Sequence, residues 1–328
     1  MLKVGIIGCG GIAHAHADGW LAAGDLAKVT AVCDVDAGNR AKMAEKVGGA
    51  EGFADWSEML AKADLDAVDI CLPHHLHKAA IVAAADAGKH VLCEKPLCIT
   101  LAEAAEITAA KERNGITIAC AHNQIFTPCV QRARQLLDEG VFGRVLSVKT
   151  ADCFRISRDK ETWGWRASLA TAGGGELIDT GYHPSYLLLY LAGSRPKQVT
   201  AMIQNFDQPL LEGEDSANVL VRFENGAMGQ IFTSWSWEWP GGFWKFHVIG
   251  EKGQMWGSGQ QFFRKMLGQD VEQEELPPMN GFHAETRHFA ECLATGARPV
   301  QSEEDGIDVL RVILGAYEAS REGRVVEL

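Results

Sequence analysis

The 328-residue sequence is narrowed first by what it lacks. No apolar stretch approaches the roughly 18 residues a membrane-spanning helix needs. No two cysteines are spaced C-x-x-C, which argues against a zinc ribbon or a thioredoxin-like redox site. Basic charge is in deficit: 31 Lys and Arg face 43 Asp and Glu, a formal net charge of −12. Such a chain repels phosphate backbones and anionic lipid, so neither nucleic acid nor a membrane is an expected partner. No repeat, low-complexity tract or long linker interrupts it. The opening MLKVGIIGCGG has the charged start of an export signal. Its apolar run is too short, however, and flows into glycines that suit a strand–turn–helix, so it reads as mature structure of a cytoplasmic protein.

What is present describes a globular chain. Hydrophobic residues make up 47%, enough for substantial cores, and the length favours two domains. Of nine cysteines, Cys9, Cys33, Cys71, Cys93 and Cys120 sit at or beside the ends of short apolar runs. They read as small buried hydrophobes in a reducing compartment. Those runs, at 3–7, 28–33, 67–72, 90–94 and 116–121, are almost continuously apolar, as strands buried on both faces are. Ala-rich helix candidates around 12–23, 36–47, 76–87 and 101–113 lie between them, closed by Gly24, Gly48, Gly88 and Gly115. Alternation of this kind predicts a parallel, doubly wound α/β sheet. Beyond residue 122 a helix candidate at 128–140 leads into alternating strands with hairpin turns at ENG and EKG, and further helices near 175–192, 280–295 and 304–321. The predicted division is a dinucleotide-binding domain at 1–122 and a second α/β domain at 123–328 with a large, open, mostly antiparallel sheet.

The first chemical motif is GIIGCGGIAHAHA. Gly8, Gly10, Gly11 and Ile12 stand between the first strand and the first helix, where glycines let the backbone turn tightly and approach a pyrophosphate seated on the helix N-terminus. Asp34 ends the second strand, about 20 residues on, where a carboxylate accepts from the adenosine ribose and repels a 2′-phosphate. NAD is expected rather than NADP. Arg40 would favour a phosphate, and Asp36 beside it argues the other way.

Two later strand ends open on the same crevice, since ligands of doubly wound sheets bind beyond the carboxyl ends of the strands. CLPHHLHKAA brings Leu72, Pro73, His74, His75 and His77; CEKPLC brings Glu94, Lys95 and Pro96. The histidines have no carboxylate cluster at ligand spacing, so they read as cofactor lining or helix capping and no metal is expected. Lys95 has two readings of equal weight from this segment alone. One is a partly desolvated lysine that hydrogen-bonds a reacting oxygen; the other is a solvated lysine at a turn. Asn123, just after the fifth strand, reads as a cofactor or substrate contact or as a turn cap.

These stretches, with GGGELIDTGYHPSYLLLYLAG (173–193) and the C-terminal HFAECLATGARPV onward, resemble the glucose-fructose oxidoreductase and inositol dehydrogenase family, Gfo/Idh/MocA, over nearly the whole chain. The resemblance implies a Rossmann domain followed by an α/β domain whose open sheet makes subunit contacts, as a homodimer or homotetramer. It implies Lys95 as catalytic lysine and Asp179 with His183 as acid/base pair. Those two are four residues apart, so on a helix they would share a face, although Pro184 either starts a fresh helical turn or kinks a continuous one. Trp165 and Arg166 would reach the cofactor's nicotinamide end, or Arg166 a substrate group, and His283 would close the site. Trp235, Trp237 and Trp239 alternate, with Trp244 beyond a PGG turn; such a stripe reads as core or subunit interface ahead of a sugar-stacking surface.

The expected activity is NAD-dependent hydride transfer from a secondary alcohol of a sugar, inositol or related polyol. His183 would be the base, Asp179 its orienting partner, Lys95 the donor to the developing alkoxide, and Glu94 a positioning group. The rivals are a keto-sugar or imine reductase, a glycoside-cleaving enzyme using NAD transiently, and a dinucleotide sensor without turnover.

Overall fold

The computed structural model describes residues 1–156, 159–238 and 244–328. Trp239 and the PGG turn at 240–242 lie outside the described residues. Two compact units emerge, Met1–Asn123 with Asn280–Ile307, and Gln124–Met279 with Asp308–Leu328. The division expected from sequence placed everything after 122 in one domain; the segment 280–307 packs with the first unit.

In the first unit, strands β1 (Leu2–Ile7), β2 (Ala27–Cys33), β3 (Glu51–Phe53), β4 (Ala67–Ile70), β5 (His90–Glu94) and β6 (Ile118–Ala121) alternate with helices α1 (Ala13–Ala22), α2 (Ala37–Lys46), α3 (Trp56–Lys62), α4 (His74–Asp86) and α5 (Leu101–Asn114). The sheet runs β3-β2-β1-β4-β5-β6 with every pairing parallel. The apolar runs anticipated as strands supply its buried centre, with Val4, Ile6, Val68, Ile70, Val91 and Leu92 closed to solvent. Edge strand β3 carries no apolar run: Glu51 and Gly52 are exposed and only Phe53 turns inward, so periodicity had nothing to register. Strand order reverses between β1 and β4, the position at which such sheets open a ligand crevice.

The second unit holds α6 (Pro128–Asp138), β7 (Val145–Cys153), the short α7 (Lys160–Trp163) and α8 (Leu169–Ala172), α9 (Tyr182–Ala192) and strands β8 (Pro196–Gln204), β9 (Ser216–Phe223), β10 (Met228–Ser234), β11 (Phe246–Gly250), β12 (Gly253–Ser258), β13 (Gln261–Met266) and β14 (Glu272–Glu275). With the C-terminal β15 (Val326–Glu327) they form a nine-stranded sheet, β14-β13-β12-β11-β7-β10-β9-β8-β15. Among the described residues only β7 and β10 pair in parallel. The ENG hairpin joins β9 to β10 through Gly226 at φ +85°, a left-handed conformation that glycine adopts without a Cβ clash. Helices α6 and α9 pack on one face of this sheet. The other presents Met202, Leu220, Met228, Phe232, Trp256 and Phe263 at matching register positions.

Two further helices complete the chain, α10 (Gly281–Thr295) and α11 (Glu303–Glu322). Helix α10 lies against α1 at Gly19, where an added Cβ would stand 2.7 Å from Thr286 Oγ1 and 2.8 Å from the Phe282 carbonyl. That glycine sits inside a helix at a cost in propensity because no larger residue lets α10 approach. Among the described residues no helix is long and apolar enough to cross a membrane. All nine cysteines are buried and free, as small core residues.

Candidate active site

The glycine turn after β1 shows three different uses of one residue type. Gly8 has φ +91°, and a Cβ there would stand 2.3 Å from the Cys71 carbonyl, so the turn passes tightly across the end of β4. Gly10 and Gly11 are the opposite: neither has a positive φ, and an added Cβ at either meets nothing within 4 Å. The chain's own packing does not call for glycine there; both leave an open cradle before α1. That helix starts after Ile12 with no side-chain cap and no acid in its first turn, so its N-terminal dipole meets no carboxylate of its own. Asp34 borders the cradle: Oδ2 accepts from the Cys9 N–H at 2.7 Å and Oδ1 from the Asp36 N–H at 2.8 Å. The residues therefore fit a dinucleotide, glycines at the pyrophosphate and a carboxylate at the ribose. Asp36 caps α2 by accepting from the Asn39 N–H, and the Arg40 guanidinium donates to the Asp34 carbonyl at 2.6 Å.

Beyond β4, Pro73 precedes α4 and His74 begins it, buried, while Leu72 is part-exposed beside Gly8. His77 is closed to solvent, with Nε2 2.7 Å from the Leu72 carbonyl and Nδ1 2.7 Å from the Pro96 carbonyl. It ties the segment after β4 to the segment after β5. Burial holds its ring below the ordinary histidine value despite the two carbonyls. Glu94 ends β5 almost buried; its Oε2 accepts the Lys95 N–H at 2.9 Å and its Oε1 lies 2.9 Å from His16 Nε2. Lys95 itself is part-exposed and joined to Pro96 by a cis peptide bond. The loop is closed by α5, where Thr100 accepts from the Glu103 N–H and Glu103 accepts from the Ile99 N–H.

Asn123 follows β6, and Gly281 at the start of α10 allows close approach to it: a Cβ on Gly281 would stand 2.5 Å from the Asn123 carbonyl. His283 follows in the first turn of α10, part-exposed, with its N–H facing the Asn280 cap. One group in the first unit has metal-like spacing, His16, Asp69 and Cys71, all buried. Both His16 nitrogens face carboxylates and burial pushes the Cys71 thiol up to about 12, so the group is a hydrogen-bonded network.

In the second unit the GGG of GGGELID is dictated by what presses on it. Gly173 ends α8 at φ +84°. A Cβ on Gly174 would overlap the Tyr317 hydroxyl, and one on Gly175 would stand 1.9 Å from the Glu214 carbonyl. Glu214 in turn accepts from the N–H groups of Gly175 and Leu177 at 3.0 and 2.8 Å and from the Tyr317 hydroxyl at 2.9 Å. Burial raises its carboxyl above the ordinary range against those donors. Beside this clamp residues 176–181 run as turns, and α9 begins only at Tyr182, so the helix expected over 175–192 is shorter. Pro184 therefore starts a fresh helix: it is the third residue of α9, where a missing N–H leaves no bond unmade.

Asp179 and His183 are thus on either side of a junction, and each has a partner the sequence did not suggest. Arg166 Nε donates to Asp179 Oδ2 at 2.6 Å, its guanidinium 4.3 Å from the Trp165 ring centroid. His183 Nδ1 lies 2.8 Å from the Tyr186 hydroxyl, which also accepts the Gln124 N–H at 3.1 Å. Tyr186 follows His183 by three residues, a spacing that brings side chains together on a helix and is the one local signal of this pair. The tryptophans part company: β10 ends at Ser234, Trp235 is buried against Trp163 and donates to Thr180, and Trp237 stays 39% exposed beside Phe232.

Comparison with known proteins agrees with this arrangement. A family model described as an oxidoreductase family with NAD-binding Rossmann fold matches residues 2–122, and one described as the GFO/IDH/MocA C-terminal domain matches 130–256. The chain is 30% identical to levoglucosan dehydrogenase of Pseudarthrobacter phenanthrenivorans, over 70% of this chain and 66% of that one. It is 26% identical to a scyllo-inositol 2-dehydrogenase (NAD(+)) of Bacillus subtilis, over 100% and 96%. An aldose-aldose oxidoreductase from Caulobacter crescentus, solved with glycerol, superposes with a TM-score of 0.88 at 28% identity, over 100% and 99% of the two chains.

Proposed function

Since this chain belongs to the Gfo/Idh/MocA oxidoreductase family, we propose that it is an NAD-dependent dehydrogenase acting on a secondary alcohol of a sugar, inositol or related polyol. The observation that carries the cofactor half is the cradle at Gly10 and Gly11, where an added Cβ meets none of the described residues within 4 Å, beside the Asp34 carboxylate. Bound NAD supplies the hydride acceptor, and the protein supplies orientation and proton chemistry. His183, its Nδ1 2.8 Å from the Tyr186 hydroxyl, is the base that takes the hydroxyl proton. Asp179, held by Arg166, stands in the turn before α9 as the orienting partner. The Lys95 ammonium stabilises negative charge on the reacting oxygen, and Glu94 fixes the backbone that carries Lys95. Asn123, Trp165 and His283 border the ligand.

The open face of the nine-stranded sheet supports self-association, as a homodimer or homotetramer. Met202, Met228 and Leu220 there are 84%, 63% and 53% exposed, an apolar surface of the kind subunits cover. Nine free, buried cysteines suit a reducing, cytoplasmic compartment. The test is NADH formation from NAD with a panel of sugars, inositols and sugar acids, NADP in parallel. Turnover with NAD on a polyol or pyranose supports the assignment. Silence with NAD still binding in a calorimeter favours the reductase, transient-NAD and sensor readings, and absence of NAD binding overturns the cofactor.

A further inference from the structure

Beneath the Lys95 turn lies a buried polar network that the proposed chemistry touches at Glu94 alone. His16, on α1, is closed to solvent. Its Nδ1 stands 3.0 and 2.9 Å from the two oxygens of Asp69, on β4, and its Nε2 stands 2.9 Å from Glu94 Oε1 at the end of β5. The Trp20 indole N–H donates to Asp69 at 2.6 Å and the Cys71 thiol donates to it at 3.7 Å. Phe282 from α10 covers the ring at 5.6 Å between centroids. Glu285, one turn along α10, is also closed to solvent, and neither of its oxygens has a hydrogen-bond partner among the described residues.

A neutral imidazole has one N–H and one lone pair, so donating to carboxylates on both sides takes a second proton. Burial works against that charge, but the Asp69 carboxylate beside the ring raises His16 well above the ordinary histidine value. Burial drives Glu285 well above the ordinary carboxyl range. A buried ionic cluster is a poor source of stability compared with apolar packing, and its best use is to specify one arrangement. Here one link of the cluster leads out. The Glu94 oxygen that does not face His16 accepts the Lys95 N–H.

We propose that His16 is a positioning residue for Lys95, holding Glu94 in the one orientation that fixes the Lys95 backbone. This rests on the reading of Lys95 given above. The ring is buried, and its link towards Lys95 runs through Glu94. The two nitrogens make the idea separable by substitution. In His16→Gln the amide nitrogen reaches where Nε2 was and keeps the donor to Glu94; in His16→Asn it reaches where Nδ1 was and keeps only the donor to Asp69.

The experiment compares full-length wild type, His16→Gln, His16→Asn and Lys95→Ala. Steady-state kinetics use NAD and the best substrate of the panel. Competitive amine labelling of Lys95, read by peptide mass spectrometry without cofactor or substrate, gives a measure that does not depend on activity. Positioning through Glu94 predicts that His16→Asn loses about 10²-fold in kcat, the scale of a misplacement near 1 Å, with little change in KM for NAD. Its Lys95 labelling rate shifts, and His16→Gln restores both towards wild type. Equal behaviour of Gln and Asn, or losses that simply follow thermal stability, would overturn the proposal. Should neither His16 variant fold, Glu94→Ala removes the carboxylate that accepts the Lys95 N–H, and an unchanged Lys95 labelling rate there also overturns it. Turnover surviving in Lys95→Ala sinks the reading of Lys95 instead, and the labelling comparison then still decides whether His16 governs its placement.

Discussion

Gly175→Ala is the sharpest probe of how the second unit presents Asp179 and His183. A Cβ at that position stands 1.9 Å from the Glu214 carbonyl oxygen and 2.6 Å from its nitrogen, where real Cβ contacts are not found below 3.0 Å. Both obstacles are backbone, on a segment whose side chain is itself tied to Gly175 and Leu177, so no rotamer change relieves the clash. Reaching 3.0 Å from 1.9 Å takes a separation of about 1.1 Å between the GGG turn and the Glu214 segment. Asp179 lies four residues on, its N–H bonded to the Gly175 carbonyl at 3.3 Å, so the shift passes directly to it. A displacement near 1 Å costs about 10²-fold in rate, and overpacking about 1–3 kcal/mol in stability. We expect kcat to fall by about that factor, the thermal midpoint to drop, and NAD affinity to stay, since the cradle belongs to the other unit. Steady-state kinetics, a thermal melt and calorimetric NAD titration read the three. Wild-type kcat with a wild-type melt would refute the reasoning outright.

Gly11→Ala is the complement: with nothing within 4 Å of the new methyl, the melt should be unchanged while NAD binds about tenfold more weakly by calorimetry, equivalent to about 1.4 kcal/mol. Unaltered affinity would mean the cradle is not where the cofactor lies. His122 provides a pH test. Burial holds it at about 3 in the folded chain, against an ordinary value near 6.5, so the unfolded chain binds the extra proton between those values. The stability it contributes is present above 6.5 and is lost as pH falls towards 3, with a slope of about 1.4 kcal/mol per pH unit. His122→Gln should remove that slope from denaturant melts recorded from pH 7 down to 4; an identical slope in the variant contradicts the assignment.

By itself the sequence determined whatever depends on near neighbours along the chain. The near-continuous apolar runs of β1, β2, β4, β5 and β6, the helices between them and the hairpin at Gly226 follow from side-chain periodicity and from backbone conformations only glycine takes cheaply. The cradle of Gly8, Gly10 and Gly11 with Asp34 was legible for the same reason, since a strand, a turn and a helix start are all local. Strand β3 was not, because three residues with one inward side chain carry no period. The start of α9 differs from the expected one because its boundary is imposed by Glu214 and Tyr317, far along the chain, pressing on the glycines before it. Tertiary structure alone decided that Arg166 meets Asp179, that Tyr186 turns to His183, and that segment 280–307 returns to the first unit. It also decided that His16, Asp69 and Glu94, up to 78 residues apart, share one buried network. Periodicity says which face of an element is apolar; which polar groups end up sealed together depends on how closely elements approach, and here Gly19 lets α10 close over His16.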